Sequence, residues 1–343
     1  MRNDRPLGVI PARRIVGAAL LRIALAASAA LALLPARAET PALDRLLSAV
    51  VHLKTTINRD GRTVETLGRE REGSAIVIDA DGLMLTIGYL MVEAESAEVT
   101  TSTGRAVPAN VVGYDHETGF GLLRAMLPLD VQPLALGHSA DLKPQDPVVI
   151  AGYGGPGRLA PALVASRRAF AGAWEYLLDD AIFTSPPYPD WSGTALIDHS
   201  GKLVGVGSLM VEDASGRHEG PGNMFVPIDR LPPILADLIA DGRASGPGRP
   251  WLGVITRELG DRLIIAAVVP GSPAEKAGLR HGDLIVGVAG EQPGDMADFY
   301  RKVYARGAAG TSVPLDVMQG GERRHVDVKS VNRLDVLRLK STY

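Results

Sequence analysis

Short apolar runs separated by turn residues dominate the chain from about residue 45 to residue 230. Gly73-Ser74-Ala75-Ile76-Val77-Ile78 leads into Asp79-Ala80-Asp81-Gly82 and then Leu83-Met84-Leu85-Thr86. Two apolar runs around an Asp-Gly pair predict strand, turn, strand. Comparable runs stand at Glu98–Thr101, Val111–Gly113, Gly121–Arg124, Pro147–Gly152 and Leu203–Ser208. Many short strands with turns between them predict a β barrel or sandwich. Helical spacing takes over at Leu231–Asp241, where Leu231, Ile234, Leu235 and Leu238 share one face. Gly242–Pro250 is a linker by composition, and a second domain runs from Trp251 to about Ser330.

Composition narrows this picture. The 343 residues leave room for two domains and a third lobe. Aromatic residues are only 5% of the chain, whereas Gly (39) and Pro (24) are plentiful, which suits a turn-rich β protein. A net charge of −3 supplies no basic excess for phosphates and argues against nucleic acid as a partner. The absence of cysteine excludes disulfides, thiolate metal sites and cysteine nucleophiles. Asp79 and Asp81 lack further acidic neighbours at calcium-loop spacing, so neither metal nor cofactor is expected.

The N-terminus predicts export. Arg2, Arg5, Arg13 and Arg14 precede an uncharged run from Ile23 to Leu34, and Ala36-Arg37-Ala38 offers small residues at a cleavage site. A cleaved signal over residues 1–38 and a bacterial periplasmic location are therefore expected. The alternative is a membrane anchor, since an apolar run extended back to Ile15 reaches about 20 residues. That span would contain Arg22, at about 2.5–3.5 kcal/mol for a central charge.

Several motifs in order carry a family resemblance. Gly73 to Met91 reads GSAIVIDADGLMLTIGYLM, Asp115 to Arg124 reads DHETGFGLLR, and Leu134 to Gly152 reads LALGHSADLKPQDPVVIAG. Asp190 to Val206 reads DWSGTALIDHSGKLVGV, and Asn223 to Ile228 reads NMFVPI. This series resembles the HtrA (DegP-like) serine proteases. The resemblance implies a mainly β fold, a chymotrypsin-like double six-stranded β-barrel followed by a small α+β PDZ domain. It implies a protease-type domain over 39–241, a linker at 242–250, a PDZ domain over 251–330 and a tail at 331–343. Homotrimers are the assembly it implies.

Laid on the family pattern, Ser192 is the nucleophile position, the histidine position is Tyr89 and the aspartate position is Gly119. A serine hydroxyl needs a base to take its proton near neutral pH. Tyrosine, with a pKa near ~10, is already protonated there, and glycine has no side chain to orient a base. The family glycine two residues before the serine, which helps form the oxyanion hole, is Asp190. Pro186, Pro187 and Pro189 restrict the approach to the turn. His116, His138 and His199 are expected to be solvated turn residues rather than replacement bases.

The second domain matches more fully. Val268 to Leu279 reads VVPGSPAEKAGL and Gly282 to Val288 reads GDLIVGV, both similar to the PDZ pattern of the same family. Trp251-Leu252-Gly253-Val254 stands at the carboxylate-binding loop, whose backbone N–H groups would receive a peptide terminus. The helix at Met296–Arg306 would form the other wall, with Phe299 and Val303, or Tyr300 and Tyr304, facing inward. The sequence thus reads as a catalytically silent HtrA-like protein that binds C-terminal or unfolded peptide segments in envelope quality control, or regulates an active relative. The competing reading is a serine endopeptidase using Ser192 in a rearranged or partner-completed site. A third makes the barrel only an assembly platform for the PDZ domain.

Overall fold

The computed structural model describes Asp44 and residues 46–339. The expected export segment lies outside the described residues. No described helix is long and apolar enough to cross a membrane.

Two closed barrels and one open sheet make up the described chain. The first barrel contains β1 (Val50–Ile57), β2 (Glu70–Val77), β3 (Leu83–Ile87), β4 (Ala94–Thr100), β5 (Ala106–Tyr114) and β6 (Phe120–Ala125). They close in the order β1-β2-β3-β6-β5-β4. The second contains β7 (Pro147–Ala151), β8 (Leu159–Gly172), β9 (Tyr176–Ser185), β10 (Ala195–Ile197), β11 (Leu203–Val211) and β12 (Gly222–Pro227). These close as β10-β11-β12-β9-β8-β7. The mainly β, double-barrel expectation holds.

Alternation sets the first barrel's register. In β3 and β6, Leu85 pairs with Leu122, and both side chains are fully buried. Leu53, Ile76, Met84, Val99 and Phe120 are buried in the same hydrophobic cluster. The Asp79–Gly82 turn forms as expected, and the Leu83 N–H donates to the Asp79 carboxylate at 2.7 Å. Closing each barrel removes the open edges that a flat sheet would expose.

Helix α1 (Pro232–Asp241) follows the second barrel and packs against β5 of the first. Its start is set by Pro232 and Pro233, and its end by Gly242 in the left-handed conformation. Beyond it lies a five-stranded antiparallel sheet of β13 (Val254–Leu259), β14 (Arg262–Val268), β15 (Leu284–Val288), β16 (Ser312–Gln319) and β17 (Glu322–Lys329). The short helix α2 (Pro273–Lys276) and the longer α3 (Met296–Tyr304) accompany it. Asp295 caps α3 by accepting from the Asp298 N–H at 2.7 Å. The C-terminal segment then returns to the first barrel, where the Arg338 N–H donates to the Glu93 carboxylate at 2.7 Å.

The β8–β9 hairpin joins the two domains. β8 runs 14 residues, well past the barrel wall, and carries its turn (Ala173, Trp174, Glu175) to the PDZ-like sheet. Leu177, at the start of β9, is buried within the hydrophobic cluster of that sheet, beside Leu252, Ile265 and Phe299. One leucine thus serves the second domain's core while belonging to the first domain's barrel. Leu177→Ala should lower stability by about 2–5 kcal/mol. A fall in the urea midpoint would show this, and an unchanged midpoint would mean that the hairpin is not packed there.

Candidate functional site

Ser192 lies on the turn before β10, at the seam of the two barrels. The Ser74 N–H in β2 donates to the Ser192 carbonyl at 2.8 Å, and the Gly193 N–H donates to the Gly207 carbonyl at 2.9 Å. The turn is therefore held from both barrels. Tyr89 comes from the single helical turn after β3 and points its hydroxyl at the same place.

The Tyr89 hydroxyl is 2.7 Å from the Ser208 carbonyl and 2.8 Å from Ser192 Oγ. A phenol has one proton, and a carbonyl can only accept it. Tyr89 therefore donates to Ser208, and Ser192 donates to Tyr89. Burial pushes the Tyr89 phenol up to about 12, outweighing its side-chain bonds to Ser192 and Trp191. Tyr89 remains protonated at neutral pH and has no capacity to take the serine's proton.

Gly119 occupies the acid position with φ +82. Its carbonyl accepts from the Gly88 N–H at 2.7 Å, and its own N–H donates to the Asp115 carbonyl at 2.9 Å. The Asp115 carboxylate stabilises this turn through the Thr118 N–H and hydroxyl. A side chain at 119 would need a left-handed backbone, and its Cβ would lie 3.5 Å from the Tyr176 hydroxyl. Asp190 forms an ion pair with Arg158 at 2.7 Å, at a half-exposed position.

His138 and His199 are exposed, as expected. His116 is a correction: it is not a solvated turn residue. Its Nδ1 lies 3.1 Å from the Tyr114 hydroxyl and its Nε2 lies 3.4 Å from the Arg333 guanidinium. Burial, with Arg333 and Arg249 nearby, holds its pKa well below the usual histidine range. Its contacts face the hairpin turn and the C-terminal segment.

The Trp251–Val254 loop forms a carboxylate cradle, and a carboxylate fills it. N–H groups of Leu252, Gly253 and Val254 donate to Glu175 at 2.8, 2.6 and 2.9 Å. Gly253 has φ +86, and a Cβ there would lie 2.1 Å from Ser272 Cβ, so only glycine fits. The groove expected to be open to a peptide is occupied by this chain's own hairpin. The Thr256 N–H donates to the Ala173 carbonyl at 2.9 Å, which pairs the hairpin turn with β13.

Helix α3 uses both of its expected faces. Phe299 and Val303 are buried in the domain core. Tyr300 and Tyr304 reach the hairpin: the Tyr300 hydroxyl donates to the Gly172 carbonyl at 2.8 Å, and the Tyr304 hydroxyl donates to the Glu175 carbonyl at 3.1 Å. Sequence reasoning missed Glu175 altogether. It stands 77 to 79 residues from its partners, and its only local mark is a charge breaking an apolar hairpin.

Comparisons with known proteins agree with this architecture. Residues 73–206 match a trypsin-like peptidase domain and residues 264–318 match a PDZ domain. A probable periplasmic serine endoprotease DegP-like of Bartonella henselae is 27% identical over 294 residues, covering 79% of this chain and 56% of its own length. The serine protease PepD of Mycobacterium tuberculosis is 29% identical over 305 residues, covering 81% of this chain and 63% of its own. The chain thus spans little more than half the length of the first of these relatives. Among solved structures, the HtrA-type protease AlgW with decapeptide superposes with a TM-score of 0.52 at 22% identity, covering 86% of this chain and 98% of that one. At that identity the likeness shows the fold.

Burial pushes the Glu175 carboxyl from its ordinary 4.5 up to about 7, against the three N–H bonds and Arg333, which lower it. Arg333 and Arg249, His116 and Glu117, and Tyr300 and Tyr304 surround the turn. The packed state then holds more protons than the open state between pH 4.5 and about 7. The stability from this group is full below 4.5 and is lost as pH rises through about 7, on the order of 3 kcal/mol in all. Glu117, whose carboxyl burial also raises, adds a slope of the same sign, whereas His116, held well below the usual histidine range, contributes a slope of the opposite sign below about pH 6.5. From pH 5 to pH 8 the melting temperature of the natural chain should fall relative to that of Glu175→Gln, in which this contribution is removed. Parallel profiles for the two proteins would show that Glu175 does not titrate there.

Proposed function

Because this chain belongs to the HtrA family, with a trypsin-like peptidase domain followed by a PDZ domain, we propose that it is a pseudoprotease whose working part is the PDZ groove. The observation that carries the proposal is the Tyr89–Ser192–Ser208 bonding. The serine's proton is directed into a phenol that stays protonated. In a related triad, loss of the base costs roughly 10⁶ in turnover. The cradle of three N–H groups, by contrast, is complete and already selects a carboxylate.

In this reading the protein captures chain termini or unfolded segments in the cell envelope, either for quality control or to regulate an active relative. The periplasmic DegP-like relatives support that location, and peptide capture is supported by AlgW having been solved with a decapeptide. The domain limits at 39–241 and 251–330, export by a cleaved signal, and assembly as a homotrimer belong to the same proposal.

Purified protein should leave casein intact and should not be labelled at Ser192 by a fluorophosphonate. Labelling that disappears in Ser192→Ala would establish a working nucleophile and overturn the proposal. Tyr89→His combined with Gly119→Asp should remain at least about tenfold below an active relative. The expectation follows from the φ of +82 at position 119, which holds the restored acid in a strained backbone. Full recovery in the double variant would show that the strain is relieved without loss.

A further inference from the structure

The Glu175 turn carries an unusual combination of features. Gly172 pairs with Tyr176, leaving a three-residue hairpin loop. The last loop position of such hairpins takes a left-handed backbone and favours glycine. Here it is Glu175, with φ +60. A non-glycine residue in this region costs roughly 1–2 kcal/mol, so the turn alone does not account for a glutamate. The side chain does account for it. Both carboxylate oxygens are taken up by the cradle, Oε2 by Leu252 and Oε1 by Gly253 and Val254.

The rest of the turn completes a ligand-like pose. Two residues before the carboxylate, the Ala173 carbonyl accepts from Thr256 in β13, as an added strand would. Tyr300 accepts from the Glu175 N–H at 3.2 Å, and Tyr304 donates to the Glu175 carbonyl. The space left beside the turn, bounded by His116, Arg249, Trp251 and Tyr304, is about 10 Å³. That is at the lower limit for a single water, so little room is left beside the turn.

We infer that the Glu175 turn is a built-in competitor for the peptide groove, and that a chain end bearing a free carboxylate binds by displacing it. The inference rests on the peptide-capture reading above and gives it a regulatory form. A terminus must offer the same two elements as the turn, a carboxylate for the cradle and an extended backbone for β13. Internal loops without a carboxylate do not meet the first requirement. Displacement also lifts Leu177 from the second domain's core, so ligand binding separates the hairpin from that domain.

Population arithmetic sets the expected effect. If only a small fraction of molecules is open, the apparent affinity for a ligand falls by that fraction. Removing the competitor restores it. Glu175→Gly suits the turn because glycine accepts its backbone, and Glu175→Gln keeps the size while discarding the charge. The probe is a library of octapeptides with free C-termini, alongside the same library amidated. Binding is read by anisotropy, and opening by the fluorescence of Trp174 and Trp251, which sit on the turn and on the loop. Glu175→Gly should bind the free-acid library at least about tenfold more tightly than the natural chain, and the amidated library should not bind. Glu175→Gln should fall between them.

Equal affinity of the natural chain and Glu175→Gly for the free-acid library would overturn the competitor while leaving peptide capture intact. If Glu175→Gly shows the tryptophan signature of an open hairpin yet binds neither library, peptide capture itself fails and the Glu175 contact is purely structural. Equal binding of free and amidated peptides would overturn displacement by a carboxylate.

Discussion

Burial of one carboxylate governs how the two halves of this protein meet. Glu175 leaves water for a buried pocket, and a charge moved that way is costly unless it is bonded on arrival. Three backbone N–H groups meet it, and those groups are presented together because Gly253 takes a backbone that other residues avoid. Once Glu175 is seated, its hairpin brings Leu177 into the neighbouring core and places Ala173 against β13. Arg301 with Asp179 and Arg249 with Glu117 then bridge the surrounding surface. Such exposed pairs add little by themselves. The buried contacts determine the arrangement, and the surface pairs accompany it.

The serine turn follows a different logic. Its scaffold is complete, pinned by β2 on one side and by β11 on the other. What has changed is the proton's destination. With Tyr89 in place, Ser192 belongs to a closed set of hydrogen bonds whose last acceptor is a backbone carbonyl. Such a set stabilises the seam between the barrels. These hydrogen bonds link a residue beside β3 of the first barrel to the turn and strand of the second.

The barrels were legible because a buried strand face writes itself into the sequence. Leu83–Thr86, Gly121–Arg124 and Leu203–Ser208 each show it, and their turns carry Gly or Asp-Gly. The β8–β9 hairpin escaped because its turn reads Ala-Trp-Glu, without any turn signal. Tyr89 and Ser192 were singled out likewise, since each falls within a sequence motif. That their hydroxyls meet was not legible, because the contact spans 103 residues and depends on closure of both barrels. His116 misled for a related reason. Asp115-His116-Glu117 reads as a polar surface turn, but Arg333, 217 residues further on, covers it.

The C-terminal segment places a limit on what opening can mean. Arg338 is bound to Glu93 of the first barrel, so the second domain is tethered at its far end as well as through the linker. A displaced hairpin therefore stays close to the groove it has left, at the high local concentration that a short tether imposes. On the proposed displacement, dilute or weak ligands would lose to it, and only those present well above their dissociation constant would hold the groove. Such a receptor would keep an ordinary saturation curve moved to higher ligand concentration, and would fill mainly when chain ends accumulate.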